Sequence, residues 1–254
     1  MCPKMSSHTK KRIVFFHIPK CAGTSVYRSL GNGLPNRSPI DKLLRRHRLT
    51  IIHDYWHREQ RGMKLRRARR SRLITGHFQW STYQELMPAP TDYLFTFLRE
   101  PRDRLLSLYR FMSSPQGSKW VDDKDIEGIN IQDFLELDLA SLNWQSDNVL
   151  VRTFSGKYNQ KFDSSAEWDE AVGVAKCNLS KLDFIGLNDR FEEDLNKLSA
   201  ELDLPYAKEM TWENKSLVSK GSFTVPNDVE ESLERKCRYD QILYKFALEN
   251  LISE

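Results

Sequence analysis

No long hydrophobic run occurs near the start of the chain, where the longest is the four residues Ile13 to Phe16. That falls far short of the ~20 residues that cross a bilayer, or of the apolar core of a secretory leader. A soluble, cytoplasmic protein without a membrane span is therefore expected, with the Golgi lumen open only to a chain trimmed of an anchor. Cysteine is scarce, and Cys2, Cys21, Cys177 and Cys237 have neither paired nor metal-like spacing, which favours a reducing compartment. The sequons at Asn36, Asn178 and Asn214 matter only in a secretory pathway. Repeats and low-complexity tracts are missing as well, which excludes solenoids and disordered chains. With 254 residues the chain suits one sizeable α/β domain with a full core.

The net charge is a modest +4, but it is unevenly placed. Between Lys42 and Arg72 stand 12 Lys/Arg and two acids, Asp54 and Glu59, a local +10 that leaves the rest of the chain at −6. Such a segment is either a solvated, partly helical face or a surface that meets an anion.

Strands and helices alternate along the sequence. Residues 12–18, 72–78, 91–99 and 183–187 read as strands; 24–30, the stretch after Pro101, 131–156, 166–178, 189–202 and the end from Asn227 read as helices. Pro101 suits a first helical turn, Gly156 a helix stop, and Asn227 with Glu230 a capping pair. This order predicts a parallel sheet covered on both faces, with ligands beyond the carboxyl ends of the strands. Lys20, Arg99 and His77 fall on that rim.

The segment "RIVFFHIPKCAGTSVYRSL" (12–30) places a lysine, a glycine and two hydroxyls where a strand turns into a helix. Free first-turn amides and the helix dipole favour an anion there, and Lys20, Thr24 and Ser25 add a charge and two donors. The bland alternative is a turn in which Lys20 is solvated and Thr24 or Ser25 caps the helix. A P-loop kinase needs G-x-x-x-x-G-K-[ST], whereas here Lys20 precedes Gly23. A cysteine phosphatase built on Cys21 needs an arginine at position 27, which is Tyr27; Arg28 lies about 100° further round the helix. Sulfuryl transfer from a phosphosulfate nucleotide needs no metal, but it needs a second cationic pocket for the nucleotide's 3′-phosphate. "FTFLREPRDRLLSLYRF" supplies Arg99 at a strand end and Ser107 two turns into the next helix, with Arg102 and Arg104 as alternative donors. His53 and His57 stand four apart, as if sharing a helix face, but Asp54 follows the first where a zinc protease has Glu.

"HIPKCAGTS" followed by "LREPRDRLLSLYRF" resembles the 5′-phosphosulfate loop and 3′-phosphate motif of the carbohydrate sulfotransferases related to heparan sulfate 2-O-sulfotransferase. "ITGHFQW" (74–80), "DNVLVRTFSG" (147–156), "FIGLNDRFEEDLNKL" (184–198) and "YDQILYKFALEN" (239–250) are similar to further segments of that family. The resemblance implies a single domain over 1–254 with the three-layer, P-loop nucleotide-kinase-like sulfotransferase fold. It implies 3′-phosphoadenylyl sulfate (PAPS) as donor and a carbohydrate hydroxyl as acceptor, with no metal and no nucleic acid. Lys20 would stabilise the leaving phosphate; Cys21, Ala22, Gly23, Thr24 and Ser25 would line the 5′ loop; Arg99 and Ser107 would hold the 3′-phosphate. His77 would be the base, and Lys220 and Ser222 would belong to a late nucleotide-contacting loop. The family's second histidine, two positions earlier, is replaced by Thr75. From its charge alone, and not from the resemblance, the segment 42–72 is expected to line the acceptor cleft and attract an anionic glycan. Two rivals remain open: a metal-dependent P-loop kinase, and a polyanion- or nucleic-acid-binding protein that uses the basic segment.

Overall fold

The computed structural model describes residues 12–34, 36, 39, 47–54, 58–120, 126–137, 145–204 and 227–252. Lys220, Ser222 and His57 lie outside them. By contact pattern the chain forms two compact units, residues 1–98 with 181–213 and residues 99–180 with 214–254.

The first unit is built on a five-stranded, all-parallel sheet of order β2-β3-β1-β4-β5. Its strands are β1 (Ile13–Phe16), β2 (His47–Ile51), β3 (Ser71–Gly76), β4 (Tyr93–Leu98) and β5 (Phe184–Leu187). Around them run α1 (Gly23–Gly33), α2 (Arg58–Ala68), α3 (Trp80–Glu85) and α8 (Phe191–Glu201). β1 and β4 are buried along their whole length, because a parallel strand covered on both faces must be apolar on both. Ile13 and Phe15 of β1 join Tyr93, Phe95 and Phe97 of β4 in a core that also takes Val26 and Leu30 from α1 and Phe191, Leu195 and Leu198 from α8. Phe15 stacks on Phe95 at 4.6 Å between ring centroids. On the other face, Phe16 packs against Phe78 (5.2 Å), Trp80 (5.5 Å) and Tyr83 (5.7 Å). Helices thus flank the sheet on both sides, as the alternation of elements predicts.

The strand β2 lies inside the basic segment, where no strand is expected from sequence. It is an edge strand, and only Thr50 among its five residues is fully buried, so its hydrophobic signal is weak. Arg48 on it donates to the carbonyls of Gly31 (2.9 Å) and Leu34. Those are end-of-helix carbonyls of α1, which has no basic residue of its own in its last turn, so Arg48 supplies both their partner and the dipole's counter-charge. At the opposite end of β1, Arg12 pairs with Asp92, which also accepts from the Tyr83 hydroxyl (3.1 Å) and the Ala89 amide (3.0 Å).

The second unit is helical: α4 (Pro101–Met112), α5 (Ile131–Glu136), α6 (Val149–Ser155), α7 (Ser165–Leu179) and α9 (Asn227–Asn250). α4 starts with Pro101 as its first residue and Glu100 as its cap, whose carboxylate accepts from the Asp103 amide at 2.7 Å. Leu105, Leu108 and Met112 pack with Phe134, Leu135, Leu233 and Cys237. The helix expected over 131–156 is two helices, with a turn over 145–148 before the second. Asn148 is left-handed there (φ 44°), and its side chain accepts from the Tyr239 and Asp240 amides of α9. Gly156 ends α6 with φ 75°, as its sequence position predicts. Glu230 does not serve the α9 terminus as a capping partner: both its oxygens are taken by the Arg102 guanidinium.

Candidate active site

Three histidines form a row at the carboxyl rim of the sheet. In register, Ile51 lies beside Thr75 and Phe16 beside Gly76. One step beyond the strands, that register sets His53, His77 and His17 side by side. His77 has ring centroids 4.4 Å from His17 and 5.0 Å from His53. His17 therefore lies one residue past β1 rather than on it, and His53 follows a strand rather than sharing a helix face with His57.

The hydrogen bonds fix the protons. The Nδ1 of His77 is 2.8 Å from the carbonyl oxygen of His17. A carbonyl only accepts, so Nδ1 carries the hydrogen and Nε2 of the neutral ring keeps its lone pair. The amide of His77 donates to Nδ1 of His53 at 3.1 Å, which leaves the His53 proton on Nε2. Burial pushes the His77 pKa below its ordinary 6.5; the bond to the His17 carbonyl works the other way, and the charge of Lys20 lowers it further. His53 is pushed down to about 3, by burial first and then by His77 and Lys64. His17 is lowered strongly by burial, by both neighbouring rings and by Lys20. All three imidazoles are neutral at pH 7.

Gly76 and Gly23 make this packing feasible. Gly76 has φ 134°, and a Cβ there would stand 1.8 Å from the Ile52 carbonyl oxygen. The β2 exit crosses so close because the Ile52 amide donates to Thr75 (2.8 Å) and the Asp54 amide to His77 (3.0 Å). At Gly23 a Cβ would stand 1.8 Å from the His17 ring, so the helix start and the imidazole share one space. Gly23→Ala is expected to push the His17 ring aside and weaken anion binding at the start of α1 at least ~10-fold. A titration with pyrophosphate measures it; unchanged affinity contradicts the role given to this glycine.

The anion-binding loop runs from Ile18 to the first turn of α1. Lys20 (φ 68°) and Ala22 (φ 57°) are both left-handed, a backbone turn of the kind that makes successive N–H groups converge. The first intrahelical bond is from the Val26 amide to Ala22 (3.2 Å), so the amides of Gly23, Thr24 and Ser25 have no carbonyl of their own helix to bond. No side chain caps α1 and no acid occupies its first turn, which answers the bland reading of Thr24 and Ser25 as caps. Lys20 lies near enough to lower both His17 and His77. Cys21 is different: its amide closes a turn on Ile18 (3.3 Å) and its thiol is buried. The loop fits an anion, and Cys21 is not presented as a nucleophile.

Thr75 is fully buried among the sheet residues and its Oγ1 has no hydrogen-bond partner among the described residues. Nothing at that position reaches a substrate. In the second unit, Arg102 is occupied by Glu230, and Arg104 is 1% exposed and donates to the Gln145 carbonyl at 2.9 Å. Arg99 keeps a buried Nε with no hydrogen-bond partner among the described residues. Arg104 likewise keeps its Nε and one terminal nitrogen buried with no hydrogen-bond partner among the described residues, whereas both terminal nitrogens of Arg102 are spent on Glu230. Ser107 is half-buried on α4. Among the described residues no group of His, Cys, Asp or Glu is placed to hold a metal ion, and no helix is long and apolar enough to cross a membrane.

The basic segment is split by the topology. α2 returns from the carboxyl end of β2 to the amino end of β3, so Arg61 and Lys64 stand nearer the histidines than Arg66, Arg67, Arg69 and Arg70 do. Arg61 pairs with Asp54 (3.7 Å) and Glu85 (2.7 Å). The four later arginines lie at the far end of the sheet from Lys20 and His77.

Sequence reasoning missed His17 and His53 as neighbours of His77. The signal that finds them is their position one or two residues past a strand end, which for His53 requires β2 to be seen.

A parallel α/β sheet with an anion loop at a strand-to-helix turn, and a neutral imidazole beside it, defines a group-transfer enzyme acting on an anionic donor. The chain belongs to the sulfotransferase family: the family model, that of sulfotransferase family 2, matches residues 5–246. It is a sulfotransferase that moves a sulfuryl group from a sulfate donor to a hydroxyl-bearing acceptor. Among curated proteins no sequence matches significantly.

Proposed function

We propose that the enzyme transfers a sulfuryl group from PAPS to a carbohydrate hydroxyl, that His77 is the base, and that residues 1–254 make one sulfotransferase domain. The observation that carries this reading is the hydrogen bond from His77 Nδ1 to the His17 carbonyl. It leaves Nε2 able to accept the acceptor's proton, beside a lysine and a loop that suit a leaving phosphate.

PAPS, when bound, supplies an activated sulfuryl group on a phosphate that leaves readily. Lys20 and the first-turn amides of Gly23, Thr24 and Ser25 bind that phosphate and stabilise the charge it gains. Thr24 and Ser25 add hydroxyl donors, and Cys21 and Ala22 shape the turn. Arg99 and Ser107 hold the 3′-phosphate, a role supported by the unpaired Nε of Arg99 and by the resemblance of the motif. Lys220 and Ser222 keep their assignment to nucleotide binding from the resemblance alone. His77 Nε2 would take the hydroxyl proton while Nδ1 stays bonded to the His17 carbonyl.

A transfer assay with radiolabelled PAPS against a panel of glycans and small alcohols tests the reading. Label is expected in a glycan, without added divalent ion; label only in small alcohols, or transfer of phosphate from ATP instead, overturns the acceptor class or the reaction. The pH profile adds a second check. The His77 pKa is lowered, so the base is still neutral below pH 6.5 and loses its lone pair only at more acid pH. The acid limb of kcat/KM is therefore expected below pH 6.5; a limb above 6.5 assigns the proton to another group.

A further inference from the structure

The amino end of the sheet carries a second cationic site that the sulfuryl-transfer chemistry does not use. His47 starts β2 and lies in register with Ser71 of β3. Together with Arg66, Arg67, Arg69 and Arg70 it lines an open cleft of about 350 Å³ with no acidic residue in its wall among the described residues. The four arginines are exposed. Arg69 donates to the Glu85 carbonyl at 2.9 Å; Arg66, Arg67 and Arg70 have no ion pair or side-chain hydrogen bond among the described residues.

Arginines in a last helical turn complement the helix dipole, but that explains one or two of them, not four. Arg66, Arg67, Arg69 and Arg70 crowd four like charges onto the last turn of α2 and the turn that follows it, so the cluster is costly without a counter-anion. Strand geometry sets its distance from the transfer site: β3 spans six residues at about 3.3 Å each, so Arg70 and His77 are separated by roughly 20 Å. A group bound at one end does not touch the other.

We infer that this cleft is a docking site for an extended sulfated or carboxylated polysaccharide, separate from the site of transfer. Guanidinium forks match the paired oxygens of sulfate and carboxylate, and a concave wall suits anionic groups presented one after another on a chain. A membrane surface is disfavoured because, among the described residues, no large apolar side chain lines the cleft to enter the interface. A single-stranded nucleic acid is disfavoured because no Phe, Tyr or Trp among the described residues is there to stack on bases. The inference stands apart from the donor and acceptor assigned above, since it concerns affinity at a place where no reaction occurs.

The test is a salt-dependent binding titration of the whole protein with a size-defined heparin oligosaccharide, comparing the wild type with the triple variant R66Q/R67Q/R70Q. The side chains of those three residues make no ion pair or hydrogen bond among the described residues, and their backbone bonds to His47 and Ser71 are untouched by the substitution, so circular dichroism and thermal midpoint are expected to be unchanged. Affinity for heparin is expected to fall at least about tenfold and its salt dependence to flatten, while affinity for adenosine 3′,5′-bisphosphate stays the same. Unchanged heparin affinity in the variant overturns the inference. So does displacement of heparin by adenosine 3′,5′-bisphosphate, which places the polysaccharide in the nucleotide site. Equal Arg-dependent binding of single-stranded DNA or of phosphatidylserine vesicles also overturns it, by removing the preference for a polysaccharide. None of these outcomes bears on whether the enzyme transfers sulfate.

Discussion

His77→Ala is expected to lower kcat by about 10²–10⁴-fold, the usual contribution of a positioned general base. Affinity for adenosine 3′,5′-bisphosphate should change little, because the role proposed for the ring is proton transfer and not phosphate binding. Two further readouts separate loss of a base from loss of structure. The acid limb of the pH profile should vanish with the imidazole, and added imidazole should restore part of the rate by entering the space the ring leaves. His17→Ala is the comparison: it keeps the backbone carbonyl that orients Nδ1, so its effect on kcat should be much smaller. A His77→Ala enzyme that keeps both its rate and its acid limb would show that the proton goes elsewhere.

The second large effect is on stability. Gly76→Ala puts a methyl group 1.8 Å from a backbone oxygen, that of Ile52, on a residue whose φ of 134° suits only glycine. Relief by side-chain rotation is impossible because the obstacle is main chain. Backbone strain and overpacking each cost about 1–3 kcal/mol, so about 3–5 kcal/mol of destabilisation is expected, a large share of a typical total of ~5–15 kcal/mol. For a chain of this size that corresponds to a fall in Tm of roughly 10 °C, measurable by scanning calorimetry. A fall of less than ~2 °C would mean that the β2 exit yields easily and that the close approach is not a constraint.

Much of this molecule is legible in its sequence where hydrophobic pattern and local chemistry agree. β1 and β4 announce themselves because both faces are buried and apolar. Pro101 and Gly156 mark helix ends through their own backbone preferences, and the loop at Lys20 shows the residue types an anion needs. What escapes is decided by tertiary context. β2 is an edge strand among arginines, so its pattern is diluted by solvated side chains. The break between α5 and α6 depends on Asn148 reaching α9, a contact with a residue some ninety positions away. Arg102 looks like a phosphate ligand in the motif, yet it is paired to Glu230; only the fold tells it from Arg99.

The row of three imidazoles has a consequence for how the enzyme tolerates change. Each ring sits just past a different strand, and none is reached through a long connecting segment of its own. Connections away from the loop between β1 and α1 can therefore lengthen or shorten with little effect on the three rings, whereas one residue inserted or deleted within β2 shifts its pairing with β3 and turns His53 to the opposite side of the sheet. Catalytic alignment here is a property of strand pairing, and it comes into being only when three segments distant in the chain have zipped together.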